Sequence, residues 1–265
     1  MSSFGLQGKL VLVTGAARGV GAATAKKFAL NGANVILVDI IEDVLQQTVR
    51  KVKQEFPNVT VVGEVCDVSK LEDVENLGER VKRQFPQSID VLVNNAAIVR
   101  IQDYVDITEE DFQKVISTNL FSVHWMIKTF TKEAIEQKRP MAIVNISSIT
   151  TISGMAMLAH YVTAKSGILG LTKTLAKELG KYNIRVNAIK PGFVDTPMNN
   201  HLTAENRADI CEKTPLGRIA PPEEIANVIV FYGSDLASFC TGSLVDVNGG
   251  MSCISSSLHL IAFTY

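Results

Sequence analysis

Short runs of apolar and β-branched residues recur along the chain, and longer segments with helical periodicity lie between them. Runs of this length and composition are typical of buried strands. The predicted strands are residues 9–14, 34–38, 59–64, 91–93, 142–146, 185–189 and 244–247. The predicted helices are residues 20–30, 42–56, 71–85, 109–138, 159–182 and 222–234. This alternation predicts an α/β fold, namely a doubly wound parallel sheet of the Rossmann type with helices on both faces.

The alternation runs through almost the whole chain, which favours one domain. The 265 residues, 46% of them hydrophobic, are enough for one large core but too few to indicate two ordinary domains. We therefore assign residues 1–251 to a single domain and residues 252–265 to a C-terminal tail. Residues 193–215 interrupt the pattern with polar residues and prolines, and we predict a mobile lid there.

The charge balance argues against nucleic acid and membrane as partners. The net charge is -1, and no segment carries the basic surplus of a general nucleic-acid binder. No apolar run reaches the roughly 20 residues that a membrane span needs. Residues 1–9 lack the features of a secretion signal and the arginines of a transit peptide. We expect a cytoplasmic protein, with the mitochondrial matrix as the alternative.

The cysteines are scattered without the spacing of metal ligands. This pattern favours buried thiols over a disulfide or a metal framework, and we predict no metal site. The four positions are Cys66, Cys211, Cys240 and Cys253.

Three glycines lie where the first predicted strand meets the first predicted helix. Gly15, Gly19 and Gly21 would let backbone N–H groups approach a pyrophosphate at a helix N-terminus. Their G-x3-G-x-G spacing differs from the commoner G-x-G-x-x-G, and a glycine cluster alone also fits a tight turn. A dinucleotide site is therefore one of two interpretations at this point.

The end of the second predicted strand favours the dinucleotide. Asp39 follows the glycines by about 20 residues, where its carboxylate can accept hydrogen bonds from ribose hydroxyls. A carboxylate repels a 2′-phosphate, so NAD is favoured over NADP. Arg18 competes with this interpretation because it can pair with that phosphate, although Ile40 leaves no second base beside Asp39.

A tyrosine and a lysine share one face of the fifth predicted helix. Tyr161 and Lys165 are spaced i and i+4, and Ser148 lies upstream after a strand. The ammonium favours the phenolate, so the tyrosine can exchange a proton near neutral pH. Lowering its pKa from about 10 to about 7 requires roughly 4 kcal/mol, at about 1.36 kcal/mol per pKa unit. The combination indicates an enzyme that transfers hydride.

These residues and several further motifs occur in the order typical of the short-chain dehydrogenase/reductase family, which the chain resembles from about Gly8 to Met251. The matching motifs are Thr14-Gly15 through Gly21, Asp67-Val68, Asn94-Asn95-Ala96, Asn119, Ser148, Tyr161-x3-Lys165 and Pro191-Gly192. Within the family the chain is most similar to the 3-oxoacyl-acyl-carrier-protein reductases and to hydroxysteroid dehydrogenases of the 17β type 8 kind.

The resemblance implies a role for each matching residue. Tyr161 is the general acid/base, Ser148 holds the substrate oxygen, and Lys165 lowers the tyrosine pKa and binds the nicotinamide ribose. Asn119 supports a water-linked proton relay. The implied cofactor-binding residues are Gly15, Arg18, Gly19, Val20, Gly21, Asp39, Asp67, Val68, Asn94, Ala96, Tyr161, Lys165, Pro191, Gly192, Val194 and Thr196.

Neighbouring residues are given simpler interpretations. Ser147 competes with Ser148, but the family spacing selects Ser148 and leaves Ser147 a structural role. His160 adjoins the tyrosine and is interpreted as a packing residue. Ala97 replaces the usual glycine after Asn-Asn-Ala, and the tail extends past the point where close relatives end.

An apolar substrate pocket is predicted beside the tyrosine, with no arginine to bind a small carboxylic acid. Its residues are Ser148, Met155, Met157, Phe193, Met198 and Leu202. A hydrophobic ketone or secondary alcohol, of the steroid or 3-oxoacyl type, is the expected substrate. The alternatives are an NADPH-dependent carbonyl or xylulose-type sugar reductase and, in another class, a dinucleotide-binding scaffold without turnover. The resemblance also implies a homotetramer.

Overall fold

The computed structural model describes residues 4–253, and a parallel sheet forms its centre. The strands are β1 (Leu10–Thr14), β2 (Asn34–Asp39), β3 (Val61–Val65), β4 (Val91–Asn94), β5 (Met141–Ile146), β6 (Ile184–Pro191) and β7 (Leu244–Val247). They pair in parallel in the order β3-β2-β1-β4-β5-β6-β7. The predicted fold class is confirmed, and the third strand begins two residues later than predicted.

Helices cover both faces of this sheet. They are α1 (Gly19–Leu30), α2 (Glu42–Glu55), α3 (Leu71–Gln84), α4 (Glu109–Ile116), α5 (Ser122–Glu136), α6 (Thr150–Ser153), α7 (Ala159–Leu179), α8 (Ala204–Glu212) and α9 (Pro222–Gly233). On one face, α1, α2 and α9 pack through residues such as Phe28, Leu45 and Ile229. On the other face, α3, α5 and α7 pack through residues such as Leu77 and Met126. Because both faces are covered, the strand residues are apolar almost without interruption.

The single helix predicted for residues 109–138 was wrong in one detail, because a π-helical turn divides it. Ser117–Phe121 forms that turn between α4 and α5. The wider turn brings Asn119 to a fully buried position, where its side chain bonds both backbone groups of Ile98. Single π-helical turns within helices are frequent at functional sites.

The segment predicted as a lid is more regular than its polar composition indicated. Residues 197–199 form one turn of 3₁₀-helix, and α8 follows. Thr203 and Asn206 form a reciprocal capping box at the start of α8, which satisfies two backbone N–H groups. Leu202 packs with Ile149, Ile210 and Met251 in a small apolar cluster of its own. Whether the segment moves stays a prediction.

Residues 4–253 contain no helix that is long and apolar enough to cross a membrane. Within the same range, no group of three His, Cys, Asp or Glu side chains has a geometry that could hold a metal ion. The four cysteines are free thiols, but the prediction that they are buried holds fully only for Cys66, since Cys211 and Cys240 are half-buried and Cys253 is exposed. Burial raises the pKa of Cys66 to about 12. Most of the predicted tail, residues 254–265, lies outside the described residues.

Candidate active site

A cleft of about 600 Å³ opens at the carboxyl ends of the strands. The strand order reverses between β1 and β4, and open α/β sheets bind their ligands in the crevice at such a point. The loops after β1, β2, β4, β5 and β6 all contribute to its walls. The cleft therefore joins the predicted dinucleotide site to the predicted catalytic residues.

The glycine loop has a conformation that requires glycine at two positions. Gly15 and Gly19 have φ values of +64° and +58°, in the left-handed region. A Cβ on Gly15 would stand 2.8 Å from Cα of Ala96. Gly21 does not line the cleft, and a Cβ there would collide with the carbonyl oxygen of Gly15. Its role is the close packing of α1 against β1, whereas Arg18, Gly19 and Val20 face the cleft.

Asp39 at the end of β2 connects this strand to the glycine loop. Its Oδ2 accepts a hydrogen bond from the backbone N–H of Ala17 at 2.9 Å, and its Oδ1 accepts one from Ile41 at 3.1 Å. Arg18 is exposed beside Ala17 and lines the same end of the cleft. Within residues 4–253, no carboxylate forms an ion pair with Arg18. Asp39, which favours NAD, and Arg18, which favours NADP, thus lie close to each other at the same end of the cleft.

The loops after β3 and β4 also line the cleft. Asp67, Val68 and Ala96 line it, and Ser69 donates two hydrogen bonds to Asp67 Oδ1, from its backbone N–H at 3.0 Å and its hydroxyl at 2.6 Å. These bonds orient the carboxylate.

Asn94 does not line the cleft, in contrast to the role implied for it. Its side chain is buried and donates to Oδ1 of Asn145 at 2.8 Å, because the last residue of β4 points into the sheet layer. Asn95 faces the cleft instead, and its amide donates to the carbonyl oxygens of Thr14 and Gly15. Asn95 therefore fixes the glycine loop, and alternation along the strand is the signal that could have identified it.

Ser148, Tyr161 and Lys165 line one end of the cleft together. Ser148 follows β5, while the other two lie in the first turns of α7. The Ser148 hydroxyl oxygen accepts hydrogen bonds from the backbone N–H of Thr150 at 3.2 Å and from the Thr150 hydroxyl at 3.0 Å. Two donors occupy its lone pairs, so the serine proton is free to be donated, and Tyr161 is within hydrogen-bonding reach.

Lys165 is almost fully buried, with 2% of its surface exposed. Its Nζ donates to the carbonyl oxygen of Ile146 at 2.7 Å and lies 5.8 Å from the ring centroid of Tyr161. Ser147 supports the lysine from behind, since its hydroxyl donates to the backbone carbonyl oxygen of Lys165. This contact is the structural role expected of Ser147.

Burial dominates the titration of the tyrosine and the lysine. It raises the pKa of Tyr161 above 10.0, and only the hydrogen bond with Ser148 opposes it. It lowers the pKa of Lys165 to about 7. In the protein alone, desolvation of the buried phenol is the largest influence on its pKa, and the expected lowering of that pKa by Lys165 stays a prediction.

Asn119, expected to support a proton relay, holds the wall of the cleft. Its Nδ2 donates to the carbonyl oxygen of Ile98 at 2.8 Å, and its Oδ1 accepts from the Ile98 N–H at 2.9 Å. The side chain is fully buried and does not line the cleft. Ile98 does line it, so Asn119 acts on the cleft through this loop.

The loop after β6 forms the wall opposite the glycine loop. Pro191, Gly192, Val194 and Thr196 line the cleft as the resemblance implied. A Cβ on Gly192 would stand 2.9 Å from Cα of Asn248, so this turn depends on glycine.

The substrate pocket is only partly as predicted. Met155, Phe193 and Met198 line the cleft, whereas Met157 and Leu202 do not. Leu202 is buried in its apolar cluster, and Met157 has a φ of +63° in a turn before α7. Sequence reasoning missed several lining residues that had no motif to indicate them, namely Ile98, Ile101, Lys114, Thr118, Ile149, Thr150, Leu158 and His201.

Comparisons with known proteins agree over nearly the whole chain. The family described as "Enoyl-(Acyl carrier protein) reductase" matches residues 15–252. The 3-oxoacyl-[acyl-carrier-protein] reductase FabG of Thermotoga maritima is 40% identical over 93% of this chain and 98% of its own length. The FabG of Escherichia coli is 36% identical over 92% of this chain and 98% of its own length.

Solved structures also match this chain over nearly its whole length. A short-chain type dehydrogenase/reductase from Mycobacterium marinum matches with a TM-score of 0.88 and 30% identity, over 94% of this chain and 97% of that one. A putative gluconate dehydrogenase from Agrobacterium tumefaciens matches with a TM-score of 0.91 and 32% identity, over 96% of this chain and all of the other.

Proposed function

Because this chain belongs to the short-chain dehydrogenase/reductase family and is an oxidoreductase acting on CH–OH groups, we propose that it interconverts a hydrophobic ketone and its secondary alcohol. The observation that carries the proposal is the meeting of Ser148, Tyr161 and Lys165 in one cleft with the glycine loop. A serine proton held ready by Thr150 and a protonated phenol suit the delivery of a proton to a ketone oxygen.

A nicotinamide dinucleotide fits the residues present. The glycine loop leaves backbone N–H groups accessible at the start of α1, and Gly19 faces the cleft without a side chain. When bound, the cofactor supplies or accepts the hydride and, in its oxidised form, brings a positive charge. That charge would add to the effect of Lys165, whose Nζ lies 5.8 Å from the centre of the Tyr161 ring.

We propose NAD rather than NADP as the preferred cofactor. The support is Asp39, whose carboxylate faces the cleft where a 2′-phosphate would have to lie. Arg18 beside it is the argument for NADP. We favour Asp39 because it is held in place by two backbone N–H groups, whereas Arg18 is exposed.

In ketone reduction, the chain's own residues supply orientation and the proton. Ser148 donates a hydrogen bond to the substrate oxygen, and Tyr161 gives its phenolic proton to that oxygen as negative charge develops there. Lys165 stabilises the phenolate that results. Met155, Phe193 and Ile149 exclude water from the reacting carbon.

A 3-oxoacyl chain carried by an acyl carrier is the substrate that we propose. Two observations support it: the apolar wall of the cleft, and the names of the curated relatives, which are 3-oxoacyl-[acyl-carrier-protein] reductases matched over 98% of their length. A sugar acid is the second candidate, because the match to the putative gluconate dehydrogenase spans that whole chain. A steroid ketone would use the same wall.

The test is steady-state turnover with NADH and NADPH on 3-oxoacyl thioesters, steroid ketones and keto-sugars. We expect NADH-dependent reduction of a 3-oxoacyl thioester, and no turnover by Tyr161→Phe, which keeps the ring and removes the proton. The variant should bind NADH like the unmodified protein in a fluorescence titration. Full turnover by Tyr161→Phe would overturn the catalytic assignment, and NADH binding without turnover on any class would favour the scaffold.

We also propose that the protein is a homotetramer, formed partly through α5. Phe121 lies immediately before this helix with 42% of its surface exposed, and its ring lies 5.9 Å from that of Trp125. Phe121 is exposed and Trp125 is half-buried against the core, and an aromatic side chain left exposed beside a helix is typical of a surface that a partner covers.

A further inference from the structure

The residue before the catalytic tyrosine is a fully buried histidine with a partner on each ring nitrogen. His160 Nδ1 accepts a hydrogen bond from the backbone N–H of Tyr161 at 2.9 Å. Its Nε2 lies 3.3 Å from Oε1 of Gln102, in the loop that follows β4. The interpretation of His160 as a packing residue was incomplete, since the imidazole connects one wall of the cleft to the first turn of α7.

The carboxylate of Asp111 determines which group donates and which accepts in each of these hydrogen bonds. Asp111 at the start of α4 can only accept, and it takes a hydrogen bond from Nε2 of Gln102 at 2.9 Å. The other amide atom of Gln102, Oε1, must therefore face His160 as an acceptor. Arg100 and Thr108 hold Asp111 in turn.

The tautomer of the imidazole follows from the same argument. Because Gln102 presents an acceptor, His160 carries its proton on Nε2 and donates it. Nδ1 is then unprotonated and accepts from the N–H of Tyr161. Three hydrogen bonds thus connect the backbone of Tyr161 to Asp111. Tyr161 donates to His160, His160 donates to Gln102, and Gln102 donates to Asp111.

The start of α7 needs this acceptor. The first N–H groups of a helix have no partner within the helix, and Leu158 at the N-cap position supplies no side-chain hydrogen bond. Met157, just before it, has a φ of +63°, and its carbonyl oxygen accepts from the N–H of Gln102 at 3.0 Å. Gln102 therefore contacts both the strained turn and the histidine that caps the tyrosine.

We infer that His160 is a positioning residue, which in its neutral Nε2–H form fixes Tyr161 relative to the wall formed by the loop after β4. The inference deepens the proposed function. Protonation of His160 would set an Nδ1–H group against the N–H of Tyr161 and break the hydrogen bond between them. The charged groups near it are Arg100, which disfavours a second positive charge, and Asp111, which is engaged by Arg100, Gln102 and Thr108.

The pH dependence has a definite sign. Burial and the positive charge of Arg100 together lower the pKa of His160 below its ordinary value of 6.5, although a hydrogen bond with the backbone of Leu158 favours the protonated form and opposes them. The imidazole is therefore neutral at and above neutral pH, and the positioning is lost as the pH falls through the lowered pKa. We expect an acid limb in kcat below about pH 6.5.

Three substitutions separate positioning from packing. His160→Phe keeps a ring and removes both nitrogens, His160→Asn keeps an acceptor near the position of Nδ1, and Gln102→Leu removes the other end of the contact. A displaced catalytic group costs on the order of ten- to a hundredfold. We expect kcat to fall by that factor in His160→Phe and less in His160→Asn, with no acid limb in either and unchanged cofactor affinity. Wild-type kcat in a folded His160→Phe would overturn the inference.

A measurement without turnover distinguishes this inference from the proposed function. The chain has four histidines, so nitrogen-15 labelling of histidine and solid-state NMR of the sedimented protein can identify His160 by its loss in His160→Asn. We expect the Nε2–H tautomer at pH 7.5, and partial appearance of the Nδ1–H tautomer in Gln102→Leu. An Nδ1–H tautomer in the unmodified protein would refute the inference whether or not a substrate has been found.

Discussion

The side chain of Thr150 determines where the Ser148 hydroxyl can donate its proton. The hydroxyl and the backbone N–H of Thr150 both donate to the Ser148 oxygen, which leaves the serine proton as the group that faces the cleft. No sequence pattern indicated this role, because a threonine two positions after a serine is common. The contact depends on the fold of the chain at the start of α6.

We expect Thr150→Val, which removes the hydroxyl and keeps the shape, to lower kcat about two- to tenfold. The loss corresponds to one hydrogen bond of about 0.5–1.5 kcal/mol, while the backbone donor remains. The measurement is steady-state turnover on the substrate found in the panel. Thr150→Ser is the matched control and should retain most of the activity. Equal loss in both variants would mean that the methyl group matters rather than the hydroxyl.

Lys165 gives a residue-scale prediction about stability. Its pKa is lowered from 10.5 to about 7 on folding, so between these values the unfolded chain holds a proton that the folded chain lacks. Stability from this residue therefore rises with pH from about 7 towards 10.5. We expect Lys165→Met to lose that rise, measured by urea unfolding at pH 7 and pH 9. An unchanged difference between the two pH values would contradict the burial of the ammonium.

The grouping of the proposed catalytic residues in one cleft could be predicted from the sequence, because it depends on their spacing. Tyr161 and Lys165 lie on one helix face at any rotation of that helix, and Ser148 follows a strand whose end faces the same edge. The orientations of Asn94, Leu202 and His160 could not be predicted, because they depend on where neighbouring elements pack. Likewise, the sign of the tyrosine pKa shift depends on burial, which spacing does not reveal.

At the scale of elements, two glycines within helices have opposite surroundings, namely Gly21 in α1 and Gly170 in α7. A Cβ on Gly21 would meet the backbone of Gly15, whereas a Cβ on Gly170 would meet nothing within 4 Å. Both lie inside helices, where glycine costs about 0.5–1 kcal/mol relative to alanine. The same added methyl group should therefore act in opposite directions.

We expect Gly21→Ala to abolish detectable dinucleotide binding and to lower the unfolding temperature, because β1 and α1 would have to separate. Gly170→Ala should keep binding and leave the unfolding temperature equal or higher. Calorimetry of unfolding and a cofactor titration measure both effects. Intact binding by Gly21→Ala would show that the loop tolerates a shift of the helix.

The elements differ in how far the sequence determines them. The central strands could be predicted because both of their faces are buried, which makes β1, β4 and β5 almost continuous apolar runs. The π-helical turn at Ser117–Phe121 contains no glycine or proline that would indicate a break, so the sequence predicted a single helix. The helix α8 is short and begins at a Thr-x-x-Asn capping box, which was the missed signal.

For the whole molecule, the proposed tetramer makes a prediction with a matched control. Phe121→Arg places a charge on the aromatic pair at α5, whereas Leu30→Arg places one on α1, where Leu30 is 58% exposed. We expect light scattering to give a tetramer mass for the unmodified protein and for Leu30→Arg, and a smaller species for Phe121→Arg. A monomer mass for the unmodified protein would refute the assembly, and dissociation by Leu30→Arg alone would move the interface to α1.

The two hydrogen bonds that Asp39 accepts from the backbone have a consequence for any attempt to change the cofactor preference. Its carboxylate faces the cleft and at the same time receives the N–H groups of Ala17 and Ile41. Replacing it by alanine would remove the repulsion of a phosphate but also release the glycine loop from β2. Asparagine or serine removes the charge and keeps one acceptor oxygen, which can serve one of those two N–H groups. An attempt to change the cofactor preference should therefore start from these substitutions. The same carboxylate that would repel a phosphate also holds the glycine loop in place.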